Sequence, residues 1–200
     1  MRNIVVISGG LRVPSSSLQL AENLAAATVR AFEAEGEQAE TEIVHLRDHA
    51  HAIVDNMLTG FPSGEFADVM ERTLAADGLI VVSPTFSAGL SGLFKSFFDV
   101  VEMEKLAGMP ILMAATGGTE RHSLVLEYAM RPLFSYMKAL PVGTGVYAAT
   151  QDFGGEGTQR LASRVERAAE EFARAVSSAP AREEHDEFEN VVDFSTLLGK

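Results

Sequence analysis

The sequence predicts an α/β fold in which a five-stranded parallel sheet, with strands in the order 2-1-3-4-5, carries helices on both faces. Short β-branched segments, typical of strands buried on both faces, alternate with segments of helical periodicity. The chain has 200 residues, 46% of them hydrophobic, which suits one domain of this kind. No Gly-x-Gly-x-x-Gly motif follows the first strand, so a dinucleotide-binding Rossmann fold is disfavoured.

Five segments have the composition of buried strands and are separated by helical segments. The predicted strands are residues 4–7, 41–46, 78–83, 110–116 and 142–149. The first predicted helix follows residues 15–17 as N-caps, places Leu20, Leu24, Ala27 and Ala31 on one face, and ends at Gly36. The later helices are predicted at residues 65–76, 91–102, 122–139 and 158–177. Residues 47–64 are predicted to be irregular with a short helical turn, and Pro132 is predicted to bend its helix.

Composition excludes several classes of function. The formal net charge of −12 disfavours nucleic-acid binding, which needs Lys and Arg for the phosphates. The absence of cysteine excludes disulfides, thiolate catalysis and cysteine-based metal sites. Three histidines, His45, His49 and His51, lie close together, but only Asp48 and Asp55 accompany them, so no metal site is predicted. No apolar run approaches the roughly 18 residues of a membrane span, and a cytoplasmic protein is expected.

The end of the chain differs from the rest. Residues 1–178 form the predicted domain, and residues 179–200 form an acidic C-terminal tail. The tail's apolar residues (Phe188, Val191, Val192, Phe194, Leu197 and Leu198) are too many for a pure linker. Two interpretations stay open: a solvated, partly disordered tail, or a segment that packs on a second subunit.

Three unusual loops are expected to meet at the switch point of the sheet, where ligands of doubly wound folds bind. The first is SGGLRVPSSS at residues 8–17. Its serine hydroxyls and free backbone N–H groups at a helix N-terminus make an anion site, Arg12 adds a positive charge, and Gly9 and Gly10 allow close backbone approach. The alternative interpretation of this loop is an ordinary capped turn.

The other two loops suit a flat ring. PTFSAGLSG at residues 84–92 combines a rigid proline with small residues, and Phe86 either flanks a ligand ring or belongs to the core. TGGT at residues 116–119 permits close backbone approach, and His122 beyond it either meets the ligand or is a surface residue. A phosphate pocket beside a slot for a flat ring describes a mononucleotide such as FMN.

With these loops, the sequence resembles the NADPH-dependent FMN reductases of the flavodoxin-like superfamily. The motifs that carry the resemblance are GGLRVPSSS, ADGLIVVSPTFSAGLSGLFKSFFD and ATGGTERHSLVLEYAMRPLFSYMKAL, and the similarity covers about residues 3–176. They are similar in particular to FMN reductases of sulfonate-utilising two-component systems and to those paired with luciferase-like monooxygenases. The resemblance implies a flavodoxin-like three-layer sandwich, FMN and NADPH (or NADH) as cofactors, and a homodimer or homotetramer.

The resemblance also assigns site residues. The phosphate-binding role carries over to Arg12, Ser15 and Ser17, with Ser8, Gly10, Ser16 and Leu18 adjacent. The ring-binding loop corresponds to Pro84, Thr85, Phe86, Ser87, Ala88 and Gly89, and the third loop to Thr116, Gly117, Gly118 and Thr119. Gly10 replaces the family's usual serine, which implies weaker phosphate binding, and Phe86 replaces its usual tyrosine. Tyr128 matches a tyrosine associated with a π-bulge and the subunit interface, and it either acts in the mechanism or is an ordinary interface residue.

Hydride transfer from NAD(P)H to flavin depends on positioning, so no general base is predicted, although His122 and Tyr128 are candidates for a catalytic contribution. The expected function is an NAD(P)H-dependent FMN reductase that supplies reduced flavin to a two-component monooxygenase. The alternative is a reductase that retains FMN and reduces quinones, azo dyes or metal oxyanions. A flavodoxin-like electron carrier is disfavoured because the Thr-x-Thr-Gly loop typical of flavodoxins is absent.

Overall fold

The computed structural model describes residues 1–155 and 157–180, so residues 181–200 of the predicted acidic tail lie outside the described residues. The strands are β1 (Arg2–Ser8), β2 (Ala39–His45), β3 (Gly78–Phe86), β4 (Gly89–Leu90), β5 (Pro110–Gly117), β6 (Leu140–Pro141) and β7 (Val146–Ala149). The helices are α1 (Ser16–Ala34), α2 (Ala50–Thr59), α3 (Glu65–Ala75), α4 (Gly92–Asp99), α5 (Arg131–Tyr136) and α6 (Gly157–Ser178).

The sheet has the predicted parallel order. Strands run β2-β1-β3-β5, and both β6 and β7 pair with β5, so the fifth predicted strand occupies the expected edge in two pieces. The register sets Ile4 opposite Gly78 and Leu79 opposite Ile111. Because β1 and β3 are neighbours while the chain passes through β2 between them, the switch point lies between these two strands, as predicted.

Each face of the sheet buries its own apolar cluster, which confirms the three-layer sandwich. On one face, α3, α4 and α5 contribute a set of rings in which Phe98 and Phe134 meet edge to face, with centroids 4.9 Å apart. On the other face, α1 and α6 cover alternate residues of the same strands, and Phe172 closes this layer over Gly78. None of the described helices is both long enough and apolar enough to cross a membrane.

The strand predicted at residues 142–149 is interrupted at its start. Glu171 of α6 accepts hydrogen bonds from the backbone N–H groups of Gly143 (2.8 Å) and Thr144 (3.1 Å), which therefore point toward α6 rather than toward β5. The Thr144 side chain and these two N–H groups hold the pKa of Glu171 below its ordinary value. The Arg131 guanidinium also donates to the Val142 (3.2 Å) and Gly143 (3.3 Å) carbonyls, so the bend between β6 and β7 is held by Glu171 from one side and by Arg131 from the other.

We expect Glu171→Gln to lower the free energy of unfolding by about 1 kcal/mol at pH 7, because a neutral amide accepts these bonds more weakly than a carboxylate. A carboxylate whose pKa is lowered by folding stabilises the protein above its unfolded pKa and loses that contribution as the pH falls through its folded pKa. The difference between wild type and variant should therefore shrink below about pH 4.5, the ordinary value. Urea unfolding across this range measures it, with Glu170→Gln on the exposed side of α6 as the matched control.

The prediction that residues 47–64 are irregular was wrong. A 3-10 turn at Leu46–His49 leads into α2, a ten-residue helix that ends at Gly60 with a left-handed backbone (φ 88°). Only Ile53 and Asn56 of this helix are buried, whereas Leu58 is 81% exposed. The helix lacks the core-facing apolar stripe by which amphipathic helices are identified, because several of its apolar side chains face outward.

The helix predicted over residues 122–139 is divided into a 3-10 turn at Glu120–His122, a π-helical turn at Leu126–Met130, and α5. Pro132 is the second residue of α5, which continues directly from the π-helical turn because Met130 and Arg131 both have a right-handed helical backbone. Proline has no N–H to donate to the preceding turn, and it lies where the helix type changes. The bend expected at Pro132 stays a prediction. Tyr128 lies within the π-helical turn and is 79% exposed.

Candidate functional site

A cleft of about 320 Å³ lies at the carboxyl ends of the parallel strands, where the three predicted loops meet. Its volume falls at the lower end of the range usual for small-molecule sites. Eleven of the predicted site residues line it: Gly10, Arg12, Ser15, Ser16, Ser17, Pro84, Thr85, Phe86, Thr116, Gly117 and Gly118. The convergence inferred from three separate sequence motifs is therefore present in the fold.

The first loop places the N-terminus of α1 at the cleft. Ser15 is the N-cap of α1, and its hydroxyl accepts a hydrogen bond from the Leu18 backbone N–H at 3.2 Å. Ser17 is buried and shares a 2.7 Å hydrogen bond with the Thr116 hydroxyl, which joins the first loop to the third. Ser16 and Ser17, the first two residues of α1, line the cleft, and the positive end of the helix dipole favours an anion there.

Gly10 departs from the family pattern for a reason visible in the packing. A Cβ at this position would overlap the Ser15 hydroxyl and lie 3.2 Å from the Ser15 Cβ. A serine at position 10 therefore conflicts with the capping rotamer of Ser15. Glycine at position 10 therefore leaves the Ser15 hydroxyl free to cap α1.

The second loop is a tight hairpin between β3 and β4. Phe86 pairs with Gly89 across the turn, and Ser87 (φ 49°) and Ala88 (φ 62°) both adopt a left-handed backbone. Such angles are strained for residues other than glycine, and strain of this kind is concentrated at functional sites. Phe86 is 41% exposed and faces the cleft, so the alternative that it belongs to the core was wrong. Ser87, Ala88 and Gly89 lie beyond the cleft lining.

The third loop is held from below by Tyr147 of β7. The Tyr147 hydroxyl donates a 2.7 Å hydrogen bond to the Thr119 carbonyl and occupies the space that a Cβ on Gly117 would need. Burial raises the pKa of Tyr147, so the phenol remains a proton donor at neutral pH. Glycine at position 117 is thus required by the close approach of the phenol.

Four residues that line the cleft were missed in the sequence: Leu11, Pro14, Thr150 and Phe153. Leu11 and Pro14 belong to the first loop and were overlooked because they carry no polar group. Thr150 and Phe153 lie in a 3-10 turn after β7, which supplies a fourth wall. Asp152 fixes this turn by accepting the Ala149 N–H at 2.9 Å. The sequence signal that could have identified Thr150 and Phe153 is their position directly after the last parallel strand, at the edge of the sheet where ligands bind.

Several predicted residues lie outside the lining. Ser8 ends β1 and is fully buried, while Leu18 faces a neighbouring groove. Thr119 lies outside the lining, where its carbonyl accepts the hydrogen bond from Tyr147, and His122 is exposed at the end of a 3-10 turn. Their assigned roles, and that of Tyr128, remain predictions. Within residues 1–155 and 157–180, no cluster of three or more His, Asp or Glu side chains could hold a metal ion.

The residues present fit FMN. The N-terminus of α1 and the Arg12 guanidinium supply the donors that a phosphate needs. Thr85 lines the cleft with a hydroxyl group, and Phe86 offers an aromatic face. Backbone and small side chains form the wall around Gly117 and Gly118, which suits a flat ring.

Comparison with known proteins identifies the family. The sequence profile described as NADPH-dependent FMN reductase matches residues 2–154. An FMN reductase (NADPH) of Pseudomonas aeruginosa is 34% identical over 172 residues, covering 85% of this chain and 90% of that protein. The NADH-dependent FMN reductase SfnF of Pseudomonas fluorescens is 35% identical over 173 residues, covering 85% and 89%.

Comparison with solved structures leads to the same family. An oxidoreductase from Corynebacterium diphtheriae superposes with a TM-score of 0.86 at 42% identity, over 90% of this chain and 99% of that one. The apo form of the NADH:FMN oxidoreductase EmoB superposes with a TM-score of 0.77 at 28% identity, over 90% and 93%. The sequence and structural matches together make this chain a member of the NADPH-dependent FMN reductase family, with FMN reduction by NADPH or NADH as its activity.

Proposed function

We propose that this protein binds FMN as a substrate, reduces it, and releases the reduced flavin to a two-component monooxygenase of the luciferase-like class. The observation that carries the proposal is the composition of the phosphate end of the cleft. Arg12 is the one charged side chain among the described lining residues, and it is exposed. A dianionic phosphate held by one solvated cation and backbone N–H groups exchanges more readily than one enclosed by several charges.

The names of the relatives also support the proposal that FMN is a substrate. They are called reductases of FMN itself, so flavin is the molecule reduced in their reactions. Reduced FMN free in solution reacts with oxygen, and the class of enzyme that uses it productively is a flavin-dependent oxygenase. The relatives include both NADPH- and NADH-dependent enzymes, and we propose that either nucleotide is the donor here.

In the proposed mechanism, bound FMN would supply the redox chemistry by taking the hydride of the nicotinamide. Arg12 and the N-terminus of α1 would hold the phosphate. Pro84, Thr85 and Phe86 would contact the ring, and the backbone N–H groups of Gly117 and Gly118 would favour negative charge on the reduced ring. No side chain is required to transfer a proton.

Steady-state kinetics of the purified full chain tests the proposal. With NADPH or NADH, the rate should rise from near zero and saturate with added FMN, and the protein should purify colourless. A yellow protein with ping-pong kinetics toward a quinone and no dependence on added FMN would support the alternative, a reductase that retains its flavin. Adding a luciferase-like monooxygenase and its substrate should then couple the oxidation of NAD(P)H to formation of the oxygenated product in the presence of FMN.

A further inference from the structure

A histidine outside the cleft lining contacts the phosphate loop from behind. His45, the last residue of β2, lies opposite Ser8 in the register of β1 and β2. Its Nε2 is 3.1 Å from the Gly10 carbonyl oxygen, and its side chain is only 16% exposed. A carbonyl oxygen can only accept, so Nε2 carries the proton in this hydrogen bond. Asp48 lies on the other side of the ring, with Oδ2 3.7 Å from Nδ1.

This contact fixes the direction of one peptide unit. In a planar trans peptide, the C=O and the N–H that follows it point in opposite directions. The Gly10 carbonyl is turned toward His45, so the Leu11 N–H is turned away from it. Gly10 and Leu11 both line the cleft, and the Leu11 N–H has no hydrogen-bond partner among the described residues.

Without the hydrogen bond from His45, the peptide between Gly10 and Leu11 would rotate easily. Glycine has few steric limits on its backbone, and a larger residue here would displace the Ser15 hydroxyl from its capping position. A rotated peptide would direct a carbonyl oxygen at the phosphate and replace an attraction by a repulsion. The loop therefore needs an external hydrogen bond to select one orientation.

We propose that His45 is a positioning residue for the FMN phosphate: its Nε2–H holds the Gly10 carbonyl away from the cleft, so that the Leu11 N–H donates to the phosphate. This inference rests on the proposed role of residues 8–17 as the phosphate loop. His45 itself does not touch the ligand, and its effect is confined to the phosphate end of the cleft.

Binding of two flavins separates this role from a general structural one, because riboflavin has the same ring as FMN but no phosphate. The Kd values of both are measured by flavin fluorescence for the wild type, His45→Leu, His45→Gln and Arg12→Ala. We expect His45→Leu to raise the Kd of FMN about tenfold, the effect of losing one hydrogen bond, and to change that of riboflavin less than twofold. The amide of His45→Gln reaches the same carbonyl and should restore FMN binding to within about threefold of the wild type.

Each outcome decides a specific point. An unchanged Kd of FMN in His45→Leu, or an equal loss of riboflavin binding, overturns the role of His45. If the leucine variant fails to fold, His45→Asn replaces it, because its shorter amide cannot reach Gly10 and the same FMN-specific loss is expected. If Arg12→Ala raises the Kd of FMN while His45→Leu does not, only this inference fails. If neither variant discriminates FMN from riboflavin, the phosphate-loop assignment fails with it.

Discussion

Replacing Arg12 with alanine should raise the Kd of FMN by about 10- to 100-fold while leaving that of riboflavin unchanged. The guanidinium is the one charged side chain among the described residues that line the cleft, and a phosphate accepts two parallel hydrogen bonds from it. Arg12 is exposed, so it binds without a large desolvation cost, but salt screens the attraction. The effect should therefore be largest at low ionic strength.

Fluorescence titration at two salt concentrations measures this loss. Arg160→Ala on α6 is the matched control, because it removes the same charge from an exposed site outside the cleft. The control separates a local contact from the change in net charge of an acidic protein. Near-normal FMN affinity and NADPH oxidation in Arg12→Ala would exclude residues 8–17 as the phosphate loop.

The sequence predicted the sheet well because its strands are continuous apolar runs buried on both faces. β1, β3 and β5 carry nearly unbroken buried residues, and short runs of this kind, rich in β-branched residues, are typical of central strands in parallel sheets. The secondary-structure predictions were wrong where a contact between distant residues, rather than the local sequence pattern, determines the structure. The break before β7 involves Glu171, 28 residues after Gly143, and α2 exposes the apolar residues that would normally identify a helix.

The site was predictable to the extent that its residues carry recognisable loop chemistry. Serine, glycine and arginine after β1, and the glycines after β5, indicate ligand contact by their composition alone. The residues that hold those loops in place carry no such signal. His45 and Tyr147 each end or belong to a strand, and only the folded chain brings them to Gly10 and Thr119.

Replacing Gly117 with alanine is the second change for which we expect a large effect. The added Cβ would overlap the Tyr147 hydroxyl and lie 3.1 Å from its Cζ, and Tyr147 is only 7% exposed, so the ring has little room to move. We expect the free energy of unfolding to fall by about 2–3 kcal/mol, in the range of other overpacked sites. The catalytic efficiency with FMN should fall about tenfold, because the loop facing the ring is displaced.

A double-mutant cycle identifies the phenol as the cause. Tyr147→Phe alone should cost about 1 kcal/mol, since it removes the hydrogen bond to the Thr119 carbonyl. In the double variant the overlapping hydroxyl is absent. Its loss of unfolding free energy should therefore be smaller than the sum of the two single-variant losses by about 1 kcal/mol or more. Gly118→Ala controls for the loss of glycine, because a Cβ there meets nothing within 4 Å and stability should change little. Additive losses in the cycle would mean that Gly117 is required for backbone freedom rather than for the approach of Tyr147.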